Sequence, residues 1–400
     1  MTGVLLCTCG SFLAGCASLP SGPARITADE ILAGSVLGLT EDRSALIDSH
    51  EVLALSEQMR AYVDEHVSAG AEKTVRLQQL TRAVVDNDRF RLDYDETTRT
   101  AAATFQERRG NCLSFSSMFV AMARHAGLDA HFQEVDTPPD WSLRDDTLVL
   151  NLHVNVLVDK GRSQRKEKRT GSLVRRSVGR DVRIVDFNIA DFRTSYDRRL
   201  IPDERLLAHF YNNVAVERMQ EGDAAAALGY FRQAIENDPT FSPAWTNLGI
   251  LYMRNGHPAY AEAAHLRALN EDPSDLVAMS NLASLFDQQG LRARAAAYRA
   301  RVVDHRNRNP YYRFHLAREA FRTEDYDAAI GHLEEAIRMK ENDDRFYFLL
   351  SASSLEIDDL EAAQRWLARA EAVAATDALK RRYASKMAVL TGAQGRETPR

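Results

Sequence analysis

Three side chains spread over the first half of the chain have the types needed for nucleophilic chemistry: the thiol of Cys112, the imidazole of His153 and the carboxylate of Asp186. Cys112 stands in Arg109-Gly110-Asn111-Cys112, and Phe115, Met118, Phe119 and Met122 follow at i, i+3, i+4, i+7 spacing. That stripe predicts a buried helix beginning at or just after Asn111, with Gly-Asn as turn and cap. The thiol then falls in the first turn, where unpaired N–H groups and the helix dipole favour an anion. A thiolate nucleophile needs a base that can also return a proton, usually an imidazole steadied by a third group. His125, His131 and His153 are the candidates. His125 lies on the same helix, about 20 Å of helical rise away, which is too far. His131 sits in a predicted strand beside that helix, and His153 in Leu-His-Val-Asn-Val, a second β-prone run. Asp186 interrupts the apolar residues of a third such run, Asp-Val-Arg-Ile-Val-Asp-Phe. From a neighbouring strand its carboxylate can accept from the His153 imidazole and fix the tautomer. A single cysteine in an apolar helix is ordinarily a small core residue. The ordered set of three is what argues for chemistry.

The elements that must carry these groups follow from periodicity. Residues 49–67 and 71–85 place apolar side chains three and four apart, so helices precede the thiol. A cysteine on a helix, a histidine on one strand and an aspartate on the next resembles the transglutaminase-like branch of the papain-type fold, over roughly residues 45–195. By that resemblance Cys112 is the nucleophile, His153 the general base and then acid, and Asp186 the orienting carboxylate. The Cys112 N–H belongs to the oxyanion site, with Gln106 and Asn111 as candidate side-chain donors. The implied reaction is acyl transfer through a thioester on Cys112. Water as acceptor makes an amidase or peptidase, an amine makes a crosslinking transferase, and hydrolysis is the expectation. The rival reading is a catalytically silent interaction scaffold. No cofactor is implied, and no second thiol or paired histidine supplies a metal site of the zinc type. Between the histidine and the aspartate, Lys160 to Arg180 holds nine Lys or Arg and one Glu. It reads as a solvated loop, and the alternative is a patch facing anionic lipid or an acidic substrate.

From residue 208 the chain repeats with a period of 34. One position reads Ala227, Ala261, Ala295, Ala329, Ala363, and another Ala215, Gly249, Ala283, Ala317, Ser351. A third reads Ala234, Ala268, Val302, Ala336, Ala370. Small residues recur where paired helices approach closely. The period and these landmarks resemble the tetratricopeptide repeat, a helix pair per unit. Five units and a closing helix near Asp377 to Leu390 are expected. The resemblance implies binding of peptides or protein segments along the concave side. Asn213, Asn247 and Asn281 recur at one position, and an amide ladder there could hold a peptide backbone.

Four hundred residues suffice for two or three domains. A net charge of −6 gives no basic balance toward nucleic acid. The opening run, MTGVLLCTCGSFLAGCASLPSGP, is too short to span a bilayer and has the shape of an export signal. Leu13-Ala14-Gly15-Cys16 resembles the lipobox of bacterial lipoproteins, although no Lys or Arg precedes the apolar run. The resemblance implies lipidation of Cys16 and a place in the cell envelope, with Ala17 favouring the outer membrane, facing the periplasm. Cys7 and Cys9 would leave with the signal, so Cys112 would remain as the one unmodified thiol. The expected order is a signal at 1–16, a tether at 17–27 and an α+β transglutaminase-like domain at 28–200. An all-α repeat solenoid at 208–377 and a cap and tail at 378–400 complete it. The expected partners are a protein or peptide on the repeats and a membrane through the anchor.

Overall fold

In the computed structural model, side-chain caps set the starts of several helices. The structure describes residues 26–39, 46–85, 90–136, 153–162, 180–187 and 196–394. Cys16 and the predicted signal lie outside these, as do most of the tether, the basic segment from 163 to 179 and the tail beyond Gln394. Thr27 and Glu30 form a reciprocal capping box on α1 (Ala28–Ala33). Asp48 caps α2 (Ser49–Val52) and Ser56 caps α3 (Glu57–His66). The stretch 49–67 is therefore two helices rather than one. Ser56, taking up the Met59 N–H, restarts the helix after the turn at Leu53. Helix α4 (Lys73–Val84) comes next, and Thr100 caps α5 (Ala101–Glu107).

Two short parallel strands, β1 (Asp93–Tyr94) and β2 (Arg109–Gly110), lead into α6 (Cys112–His125). The main sheet consists of β3 (Asp129–Val135), β4 (His153–Arg162), β5 (Arg180–Val185) and β6 (Arg198–Ile201), in the order β5-β4-β3-β6 with antiparallel neighbours. Period-two alternation buries Ala130, Phe132, Val154, Val156, Val158 and Val185 in one core with Met118, Phe119 and Met122 of α6. Strand β4 runs on to Arg162 and β5 begins at Arg180, so the two ends of the basic segment are strand rather than loop. Their ladder breaks register between Asp159 and Arg162.

The second half is helical. Its first pairs are α7 (Asp203–Gln220) with α8 (Ala224–Asn237), and α9 (Ser242–Arg254) with α10 (Pro258–Glu271). Helices α11 (Leu276–Gln288) and α12 (Arg292–Asn307) form the third pair, and α13 (Pro310–Arg322) and α14 (Tyr326–Met339) the fourth. The fifth is α15 (Asp344–Glu356) with α16 (Leu360–Val373), and α17 (Asp377–Gln394) follows. Close approach explains the small residues: a Cβ on Gly249 would stand 2.5 Å from the buried His265 ring. Helix α17 covers the last apolar face by burying Tyr383 against Tyr347, Leu367 and Ala370. It continues through Gln394, past the end expected near Leu390.

One core runs from Ile31 through the sheet to Val302 of α12. Helix α1 sits on the repeats: Tyr252 donates to the Ile31 carbonyl, and Arg232 to the carbonyls of Leu32 and Ala33. These bonds satisfy carbonyls that a short helix leaves open at its end.

Candidate active site

The turn into α6 is built to present its first residue. Arg108 adopts the left-handed conformation that ends α5, at φ 55°. Strand β2 then pairs with β1, placing Gly110 opposite Tyr94. Gly110 itself has φ 156°, and a Cβ there would lie 2.7 Å from that of Ser114. Asn111 closes the helix start: its Oδ1 accepts from the Ser114 N–H and hydroxyl, both at 3.0 Å. Its Nδ2 donates to Thr98 Oγ1 at 2.9 Å and more weakly to the Glu96 carbonyl at 3.4 Å. Asn111 is thus fully engaged as a cap and has no donor left for an oxyanion, correcting that candidacy. Gln106 lies exposed near the end of α5. The Cys112 N–H, in the first turn, has no intrahelical acceptor and is the donor this helix start offers.

His153 opens β4, and its Nε2 lies 2.9 Å from both carboxylate oxygens of Asp186, just past the end of β5. Both side chains are sheltered, 11% and 6% exposed. The register that pairs Val156 with Val185 also sets Asn155 beside Asp186. Asn155 donates from Nδ2 to Asp186 Oδ2 at 2.8 Å. Burial disfavours the charged His153 ring. Hydrogen bonding to Asp186, and then to the Cys112 sulfur, outweighs it and pushes the imidazole up to about 10. With Nε2 committed to Asp186, Nδ1 is the nitrogen available to the sulfur.

Helix α6 holds these parts in relation to one another. Ser116 Oγ donates to the Val154 carbonyl at 3.2 Å, next to His153. Phe187, next to Asp186, packs its ring 5.7 Å from Phe115 and 5.9 Å from Phe119. Cys112, His153 and Asp186 therefore meet, although 41 and 33 residues separate them along the chain. His125 is held by Asp64 at 3.0 Å at the far end of α6, and His131 by Asp129 at 2.8 Å.

Two residues of the site escaped the sequence reading. Asn155 shares a strand face with His153, two residues away, a placement that alternation along His-Val-Asn-Val could have suggested. Tyr94, 62% exposed, stands in the field of Cys112, and partial burial followed by that field raises its phenol. Its place beside the thiol depends on a two-residue ladder that leaves no periodicity. The proposed asparagine ladder is only partly free. Asn247 donates to Asn212 at 2.9 Å, Asn213 is half-buried on α7, and the buried Nδ2 of Asn281 has no partner among the described residues.

Residues 58–158 match the model of the transglutaminase-like superfamily, a span that includes Cys112 and His153 and ends before Asp186. Residues 208–241 and 230–263 match models of the tetratricopeptide repeat. The chain carries a transglutaminase-like core followed by tetratricopeptide repeats. No curated protein matches it. Among solved structures it is similar to MamA, at 18% identity over 42% of this chain and 91% of that one, with a TM-score of 0.24. It is similar also to YrrB, described as a tetratricopeptide protein with an unusual peptide-binding site, at 17% identity (43% and 89% covered, TM-score 0.24). A third is PilF of Pseudomonas aeruginosa, at 14% identity (48% and 88% covered, TM-score 0.26).

Proposed function

We propose that this protein is a thiol-dependent acyl-transfer enzyme that hydrolyses peptide or amide bonds, with its repeats recruiting a protein substrate or partner. The observation that carries the reading is the His153 ring held between the Asp186 carboxylate and the Cys112 sulfur. In this reading the thiolate of Cys112 attacks the carbonyl carbon, and its C–N bond breaks as His153 protonates the leaving amine. The Cys112 N–H stabilises the oxyanion formed on the way. Water then gives a proton to His153 and attacks the thioester carbonyl, which releases the acid and restores the sulfur. An amine in place of water would make the same site a transferase. Asp186 keeps the ring oriented and stabilises its charged form throughout. A lipid on Cys16, placing the enzyme in the cell envelope, belongs to the same proposal. Its test is release of Cys16→Ser from membranes.

The activity is tested by incubating the protein with envelope proteins and a biotinylated primary amine. New protein N-termini that appear with wild type and not with Cys112→Ala support hydrolysis, and Cys112-dependent biotin incorporation supports transfer. Neither product above the Cys112→Ala background sinks the enzyme reading.

A further inference from the structure

Ten residues after Asp186, Tyr196 inserts its side chain into the fourth and fifth repeats, where it is only 8% exposed. Its ring stands edge-on to Tyr311 of α13, 5.8 Å between centroids. The Arg345 guanidinium of α15 lies 5.4 Å over the same ring and donates from Nη1 to the Tyr196 hydroxyl at 3.1 Å. The next residue, Asp197, meets Lys340 at 3.2 Å.

The receiving side is made by the array alone. Arg345 is fixed through two bonds to the buried Asp343, from Nε at 2.8 Å and from Nη2 at 2.6 Å. It also lies 5.4 Å over Tyr311 and 5.6 Å over Phe314, and both rings pack on Phe346. The buried hydroxyl of Tyr311 has no hydrogen-bond partner among the described residues. Lys340 is mostly covered, whereas Asp197 is 82% exposed, so the acidic half of the occupant rests on the surface. A guanidinium and aromatic faces held in place before contact match a single aromatic ring, and an ammonium beside them matches an adjoining carboxylate.

We propose that Tyr311, Lys340 and Arg345 form a recognition site for a protein segment presenting an aromatic residue followed directly by a carboxylate, and that Tyr196–Asp197 is its resident occupant. This rests on the reading that the array recruits protein, and it names the chemistry recruited. A partner carrying the same pair competes with Tyr196, so capture of a partner releases Tyr196 and Asp197 from the array.

The test uses the full chain and a fluorescent acetylated peptide amide, Ser-Tyr-Asp-Arg, read by anisotropy. Tyr196→Ala binds it saturably and about tenfold or more tighter than wild type, because the resident ring no longer occupies the site. Arg345→Ala or Lys340→Ala, each added to Tyr196→Ala, weakens binding about tenfold, as does alanine at the tyrosine of the peptide. Arg345→Ala removes the guanidinium from the buried Asp343, so Lys340→Ala decides if that variant does not fold. Equal affinity in wild type and Tyr196→Ala, no saturable binding in either, or indifference to the array substitutions overturns the site. Iodoacetamide labelling of Cys112 in the same samples reads the enzyme proposal separately, so the two can fail independently.

Discussion

At His153 burial and pairing pull in opposite directions, and pairing wins. The ring has an ordinary value of 6.5 and is pushed up to about 10 by Asp186 and the Cys112 sulfur, against the cost of burial. A raised value in the folded chain has a definite sign. Its contribution to stability is complete below pH 6.5 and is lost as pH rises toward 10. Asp186→Asn removes the carboxylate whose hydrogen bond contributes most to the rise. The advantage of wild type over Asp186→Asn in unfolding free energy from urea titration is therefore largest near pH 6, on the order of a few kcal/mol, and shrinks toward pH 10. A gap that does not change with pH would contradict the assignment of Asp186 as the ring's charged partner. Asn155 restrains the same carboxylate, so the orienting part of the site is two residues rather than one.

The helix start is the element on which the thiol depends. Asn111 links it backwards through Thr98, whose N–H donates to Glu217 of α7 at 2.8 Å. The first repeat therefore braces the turn that carries Cys112. Gly110→Ala places a methyl group where Ser114 already stands, at a backbone angle that L-residues rarely adopt. The expected loss is about 1–3 kcal/mol in urea denaturation, with slower Cys112 labelling; unchanged stability would mean the turn tolerates a side chain. Much of this element was legible in the sequence, because a buried stripe and a Gly-Asn boundary are local signals. The 34-residue period was legible for the same reason, since small residues recur wherever helices touch. Asn155, Tyr94 and the seat of α1 on α8 and α9 were not, because each depends on which strands and helices become neighbours. The asparagine ladder shows the limit from the other side: periodicity marked Asn247, but its partner is Asn212, one residue from the repeating position.

Across the whole molecule, sheet and repeats meet through buried charge at one end of the array and through Tyr196 at the other. Glu134 of β3 accepts from His209 and Arg205 of α7 and from Arg199 of β6, and Arg205 continues to Asp238 at 2.9 Å. Burial opposes the Glu134 charge, yet the donors from His209 and then Arg205 hold the carboxyl well below its ordinary 4.5. Its contribution is therefore present above pH 4.5 and is lost as pH falls through the lower folded value. Removing one member of such a buried network leaves the others uncompensated. Glu134→Gln is expected to cost about 3–5 kcal/mol and to flatten the loss of stability between pH 5 and 3 in thermal melts. A variant as stable and as acid-sensitive as wild type would show that the Glu134 network does not hold the two halves together.

The central claim is that His153 activates Cys112, and the most direct measurement is the rate at which iodoacetamide labels Cys112. It is read by the mass of the peptide carrying that residue, in wild type and in His153→Ala at neutral pH. Rapid labelling that falls about tenfold or more in His153→Ala is the predicted result. Slow labelling that His153→Ala leaves unchanged would contradict the account and leave Cys112 as a core thiol at the start of a helix.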